Sequence, residues 1–199
     1  VASRGLGDVY KRQRIGVARD VTALAHAEEE LRFLAHHDPL TKLTNRALFR
    51  DRLEMALRGA HRHTSSLALL FLDINDFKAI NDTHGHTAGD QVLCEIARRL
   101  KACVRATDTV ARMGGDEFTV LLTDIDTPQA VAEAVAQILK ALGEPLSAEF
   151  GALSMPSCSI GVACYPADGE DADALLAHAD GHMYRLKRAR RAPGGSQVG

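Results

Sequence analysis

Apolar and polar positions along this chain fall into two periods, and the switches between them mark the elements. From Thr44, "TNRALFRDRLEMALRGAHR" carries apolar residues at helical spacing. Leu48, Leu53, Met55 and Leu57 supply the stripe, with Thr44 or Asn45 as the cap. "SLALLFLD" is a continuous apolar run of strand length that ends on Asp73. "AGDQVLCEIARRLKACV" returns to the helical period, with Val92, Ile96 and Leu100 on one face. "TVARM" and "EFTVLL" are β-branched and apolar runs on either side of Gly114-Gly115, which predicts a hairpin. "PQAVAEAVAQILKAL" reads as a helix with Pro128 in its first turn, "PSCSIGVACYP" as a strand, and "DADALLAHADGHMYRLKRARR" as a closing helix. Strands and helices do not alternate one for one, and the hairpin demands at least one antiparallel pair. The expected class is therefore α+β, with helices packed around a central mixed sheet.

The ends read differently. The first thirteen residues, "VASRGLGDVYKRQ", depart from the rest; "DVYKRQ" resembles the translation of a transposon-end adaptor used in preparing sequencing libraries, so residues 1–13 are expected to be non-native. Residues 14–35 combine strand-like "IGVARDVT" with a helical stretch from Ala23, where Leu24, Leu31 and Leu34 stand near heptad spacing. They are expected to be the end of an upstream domain and a connector helix. Residues 36–192 form the globular part, and 193–199 a tail.

Composition narrows the function classes. Apolar content of 46% in 199 residues supports a real core, and a formal charge of −2 gives no reason to expect nucleic-acid affinity. No apolar run approaches the length of a membrane span. Cys94, Cys103, Cys158 and Cys164 lie far apart without C-x-x-C spacing, as in a cytoplasmic protein with reduced thiols.

The candidate chemistry lies in carboxylates. Asp116 and Glu117 follow two glycines at a bend, and Asp73 ends a buried strand. Glycine permits positive φ and close approach of a ligand to the backbone. If the two segments are neighbours, the three carboxylates converge, and such a group calls for a hard divalent cation brought in with phosphates. The alternative is a solvated turn whose charges never meet.

"GGDEF", Gly114 to Phe118, is the signature of the GGDEF family of diguanylate cyclases. The chain resembles that family from about Leu34 to Arg191, through "HHDPLTKLTNR", "LDINDFKAINDTHGHTAGD", "RATDTVARMGGDEF", "SIGVACYP" and "HADGHMYRLKRARR" in order. The resemblance implies a polymerase-palm-like α+β fold and condensation of two GTP into cyclic di-GMP with release of pyrophosphate. It implies Mg²⁺ (or Mn²⁺) held by Asp73, the Ile74 carbonyl, Asp116 and Glu117, with Asp116 and Glu117 assisting deprotonation of the 3′-hydroxyl. Asn81 and Asp90 are implied as guanine readers, with His86 near the nucleotide and Gly115 at the turn. Lys78, Lys187 and Arg191 are implied as phosphate contacts. Two domains must face each other as a homodimer for each 3′-hydroxyl to attack the other nucleotide. "RATD" matches the family's inhibitory R-x-x-D motif, in which Arg105 and Asp108 bind product; the alternative is a helix-end salt bridge. "IGVARDVT" and the following helix resemble the end of a PAS sensor domain and its signalling linker.

The chain departs from the family pattern in places. Lys42 and Thr44 stand where glycine and proline are common, which predicts a small change in turn geometry. "KRARRA" lacks the glycine and asparagine usual beside Arg191. No second arginine for product follows in "AVAEAVAQILK". The competing function is a catalytically inactive GGDEF module acting as a receptor for cyclic di-GMP or GTP. A third is a different nucleotidyl cyclase on the same fold.

Overall fold

The computed structural model describes residues 24–125, 127–147, 150–151 and 153–191, the last without its side chain. The opening segment, the strand expected in "IGVARDVT" and the tail lie outside the described residues. Two units emerge, one ending at His37 and the other starting at Asp38. The first contributes helix α1, residues 24–36, on which Leu24, Leu31 and Leu34 are all exposed.

The second unit runs α2 (Arg46–His63), β1 (Leu67–Ile74), α3 (Phe77–His84), α4 (His86–Cys103), β2 (Thr109–Gly114), β3 (Glu117–Thr123), α5 (Pro128–Gly143), β4 (Cys158–Tyr165) and α6 (Ala172–Arg191). The strand order is β2-β3-β1-β4, and every ladder is antiparallel. The α+β class is as expected. The four strands pair without a parallel ladder, and a parallel bridge, Thr44 to Ala111, lies beside them.

The unbroken apolar run in β1 has a simple cause: helices cover both faces of the sheet, so no position needs to be polar. All eight β1 residues are buried. Leu67, Leu69 and Phe71 pack with Phe49, Leu53 and Leu57 of α2 and Leu175, Ala179 and Met183 of α6. Ala68, Leu70, Leu72 and Ile74 pack on the other face with Val92, Ile96 and Leu100 of α4 and Ile138 and Leu142 of α5. Asp73 therefore belongs to the face covered by α2 and α6.

Three local readings change. The stripe of α2 runs Phe49, Leu53, Leu57, Ala60, at steps of four and three, while Met55 points away and is exposed. The α2 cap is Asn45, whose Oδ1 accepts from the Leu48 amide at 3.0 Å. Helix α3 is an addition to the expected elements: at eight residues it is too short to stand out, and it buries no residue fully, with Phe77 and Ile80 leaning on the core. The hairpin also closes one residue later than the glycine pair suggests. Gly114 pairs with Glu117, so Gly115 and Asp116 form the turn, and a bulge between Arg112 and Gly114 absorbs the extra residue. Gly115 has φ +52°, which suits glycine.

Lys42 takes φ +60°. This is the conformation that glycine adopts freely, and here a side chain bears its cost. Left-handed backbone costs a non-glycine residue roughly 1–2 kcal/mol, partly offset by the greater unfolded-state freedom of glycine. Lys42→Gly is expected to raise stability by about 0.5–1 kcal/mol, read as a higher midpoint in thermal unfolding. A lower midpoint would count against this account.

Candidate active site

The site starts from register. Asp73, near the end of β1, stands opposite Glu117, the first residue of β3, and opposite Ser159 of β4. Directly paired residues share a face and bring their Cβ atoms to within about 4.5–5.5 Å. Asp116 sits in the adjoining turn, and its carbonyl accepts from the Ile74 amide at 3.3 Å. The strand order thus joins two segments that are far apart in the chain. Asp73 is buried, while Asp116 and Glu117 are half-buried.

Crowding shows in the electrostatics. Burial, and then the Asp73, Asp116 and Asp180 carboxylates, push the Glu117 carboxyl above its ordinary range, with Arg46 opposing. Asp180 on α6 and Arg46 at the start of α2 were not anticipated. One signal for Asp180 was available: it precedes Lys187 by seven residues, two turns of the same helix.

Lys187 reaches the cluster directly, its Nζ pairing with Asp73 Oδ1. Helix α6 can approach because Gly161 of β4 lies under it. A Cβ at Gly161 would stand 2.0 Å from the Ala179 carbonyl oxygen and 2.3 Å from the Met183 nitrogen. Nearby, Arg190 donates to Ser157 Oγ and lies 3.5 Å from Asp76. Asn75 donates to Ser157 Oγ at 3.1 Å and accepts from Ser159 Oγ at 2.9 Å, which ties the loop after Asp73 to β4. The side chain of Arg191 lies outside the described residues.

The turn itself is braced. Arg112 donates from Nε and Nη2 to the Gly115 carbonyl at 3.0 and 2.7 Å, and from Nη1 to Asp38 at 3.1 Å. Asp38 also accepts from the Thr41 amide and hydroxyl at 2.8 and 2.7 Å. Burial alone would raise the Asp38 carboxyl; the hydrogen bonds from Thr41 and the Arg112 guanidinium outweigh it and hold the group below its ordinary value. The "HHDPLTKLTNR" block therefore supports the hairpin through Asp38, a role its sequence did not reveal.

Asn81 on α3 lies against the backbone of Gly89, the residue before the exposed Asp90 on α4. A Cβ on Gly89 would fall 2.0 Å from Asn81 Oδ1, so the missing side chain is what lets Asn81 lie against the backbone beside Asp90. Lys78 and His86 are exposed, near the starts of α3 and α4. No described contact links them to the carboxylates.

Hard divalent cations take oxygen donors. The donor set here is carboxylate oxygen, in which burial and then the neighbouring carboxylates raise Glu117, and its chemistry suits such an ion. Among the described residues no group of three or more acidic, histidine or cysteine side chains is arranged to hold a metal ion. Lys187 instead supplies the positive charge at Asp73.

Arg105 and Asp108 border a separate cavity of about 200 Å³, walled by Thr123 and by Ala130, Glu133 and Gln137 of α5. Asp108 accepts from the Arg105 amide at 2.9 Å and the Thr123 amide at 3.2 Å. The expected alternative, an Arg105–Asp108 salt bridge, is not among the described ion pairs. The four cysteines are free thiols, and burial pushes Cys158 up to about 12.

Residues 35–193 match the family model described as "Diguanylate cyclase, GGDEF domain". The chain is 46% identical over 166 residues to the bifunctional diguanylate cyclase/cyclic di-GMP phosphodiesterase MucR of Pseudomonas aeruginosa, covering 83% of this chain and 24% of that protein. The GGDEF domain of TpbB (YfiN) from the same species has a crystal structure that is 43% identical, with a TM-score of 0.73, over 75% of this chain and 92% of that one. The coiled coil and GGDEF domain of DgcB from Caulobacter crescentus, solved in complex with c-di-GMP, is 27% identical with a TM-score of 0.75, over 92% of this chain and 96% of that one. The chain spans about a third or less of the length of the curated relatives it matches.

Proposed function

This chain belongs to the GGDEF family, and from that premise we propose that it is the catalytic domain of a diguanylate cyclase, joining two GTP into cyclic di-GMP with release of pyrophosphate. The observation that carries the reading is the pairing of Asp73 with Glu117 on one face at the end of the sheet, with Asp116 in the adjoining turn. Asp73, Asp116 and Glu117, with the Ile74 carbonyl, would hold Mg²⁺ or Mn²⁺. Such an ion neutralises phosphate charge and eases deprotonation of a 3′-hydroxyl. Asp116 and Glu117 are the candidates for assisting removal of that proton.

Guanine offers ring and amino N–H donors; Asp90 can accept them, and the Asn81 amide can both give and accept. The Asn81 amide lies against Gly89, next to Asp90 in the chain. Lys78, Lys187 and Arg191 take the triphosphate charge, and His86 lies near the nucleotide. Gly115, without a side chain in the turn, leaves the phosphates room to approach.

One domain holds one GTP, so turnover requires two copies face to face. The exposed Leu24, Leu31 and Leu34 on α1 suit pairing of that helix with its copy. No described helix is long and apolar enough to cross a membrane. A cytoplasmic location fits both the nucleotide substrate and the free thiols.

The receptor reading stays in play because relatives such as MucR carry two activities in their names, and this chain matches only a fraction of their length. Retention of Asp73, Asp116, Glu117, Asn81 and Asp90 favours catalysis. Incubating the purified chain with GTP and Mg²⁺ and weighing the product by mass spectrometry separates the two: a cyclase yields cyclic di-GMP, whereas a receptor binds nucleotide and leaves GTP intact.

Product control is assigned to the cavity beside Arg105 and Asp108. Hydrogen bonds to charged groups contribute about 1.5–3 kcal/mol, roughly ten- to a hundred-fold in affinity. Arg105→Ala should therefore weaken inhibition by added cyclic di-GMP at least about ten-fold, with the uninhibited initial rate preserved. An inhibition curve that superimposes on that of the parent would remove Arg105 from this role.

A further inference from the structure

We propose that Lys187 holds the place of the divalent cation in the nucleotide-free chain, so that metal settles on Asp73 only as a triphosphate draws the lysine away. This rests on the reading of Asp73 as a metal ligand. Asp73 is buried, at 8% exposure, and a carboxylate in that position needs positive charge beside it. Lys187 provides it from α6, with both side chains largely withdrawn from solvent. Arg190, three residues on, is turned instead toward Ser157 and Asp76, while Arg112 is spent on Gly115 and Asp38.

An ammonium and a divalent ion cannot share one carboxylate oxygen without strong repulsion at contact distance. One of the two must leave. Lysine is suited to be the mobile partner, since a flexible four-carbon stem carries its charge and a change of rotamer moves the ammonium several ångströms. A bound triphosphate supplies the anion that receives it. The ion pair thus makes metal and nucleotide bind cooperatively, and by linkage each strengthens the other by the same factor. Metal alone meets an Asp73 carboxylate already paired with an ammonium.

The test is a titration of the purified chain with Mn²⁺, followed by the loss of the free-ion electron paramagnetic resonance signal. It is run without nucleotide and with 3′-deoxy-GTP, which lacks the attacking hydroxyl. The parent is expected to bind Mn²⁺ weakly alone and much more tightly with 3′-deoxy-GTP. Lys187→Met should bind nucleotide-free Mn²⁺ about ten-fold more tightly than the parent, with most of the nucleotide's effect lost. Lys187→Arg, which keeps the charge, should stay close to the parent. Circular dichroism melts establish that each variant is folded. If Lys187→Met binds nucleotide-free Mn²⁺ no better than the parent, the proposal is overturned. Asp73→Asn tells the two failures apart: Mn²⁺ binding that is indifferent to Asp73→Asn in both conditions discards the metal-ligand reading itself, and this proposal with it.

Discussion

Asp116→Asn is expected to leave the chain folded and to cut cyclic di-GMP formation by about 10²–10⁴-fold, since metal-assisted charge stabilisation contributes several kcal/mol to a barrier. The substitution keeps the shape of the turn and removes one charge. Gly115 still carries the positive φ, and Arg112 still grips the Gly115 carbonyl, so the hairpin has no reason to open. What disappears is one of the carboxylates that crowd Glu117. Without a cation those groups repel each other, so the variant should melt no lower than the parent and Glu117 should ionise more easily. Loss of turnover with stability unchanged or raised is the signature of a site that gives up stability for function. Initial rates with GTP and Mg²⁺ and thermal melts on the same samples provide both readings. Retention of more than about a tenth of the parent rate would contradict a stabilising role of that size.

Arg99→Ala should have the largest effect on stability. Arg99 is 8% exposed and sits where α4 meets the end of α5. Its Nε donates to Glu95 at 2.7 Å, its Nη1 to the Ala141 and Glu144 carbonyls at 2.8 and 2.5 Å, and its Nη2 to the Pro145 carbonyl at 2.9 Å. The last carbonyls of a helix lack intrahelical donors, and one guanidinium satisfies several of them at once. Truncation strands buried acceptors and leaves a poorly solvated Glu95 with one cation fewer. The cost is about 3 kcal/mol, or roughly 6–12 °C in melting temperature for a domain of this size. Glu95 is held at about 2, from an ordinary 4.5, mainly by Arg98 against the opposing effect of burial, and then by Arg99. Because its folded value is depressed, its share of stability is present above pH 4.5 and lost as the pH falls through about 2. Arg99→Lys should recover only part of the loss, since an ammonium cannot span that planar set of acceptors. A melting point within about 2 °C of the parent for Arg99→Ala would show that water replaces these contacts at little cost.

The elements that the sequence announced are those with strong periodic signals. The β1 run, the stripe of α4 and the Thr127-capped α5 with Pro128 at its start all stand close to where the residues placed them. Where the signal was thin, the reading slipped. Helix α3 is only eight residues long and buries none of them fully, so "DFKAINDTH" was too short to stand out between β1 and α4. The paired glycines pointed at the hairpin but not at the bulge that moves its turn onto Gly115 and Asp116. Asp38 and Arg112, 74 positions apart, brace that turn through a contact that neither neighbourhood advertises.

By itself the sequence determined most of the helices and strands, which family blocks the chain carries, and which carboxylates are candidates for chemistry. Those properties are local, written in the spacing of apolar residues and in short motifs. Only the tertiary structure decided that Asp73 faces Glu117, that Asp180 and Lys187 lean in from a helix far along the chain, and that the Lys187 ammonium rests on Asp73. Strand order and register set these neighbours. Both are won by burying the two faces of β1 at once, a balance summed over the whole core and carried by no single stretch of residues.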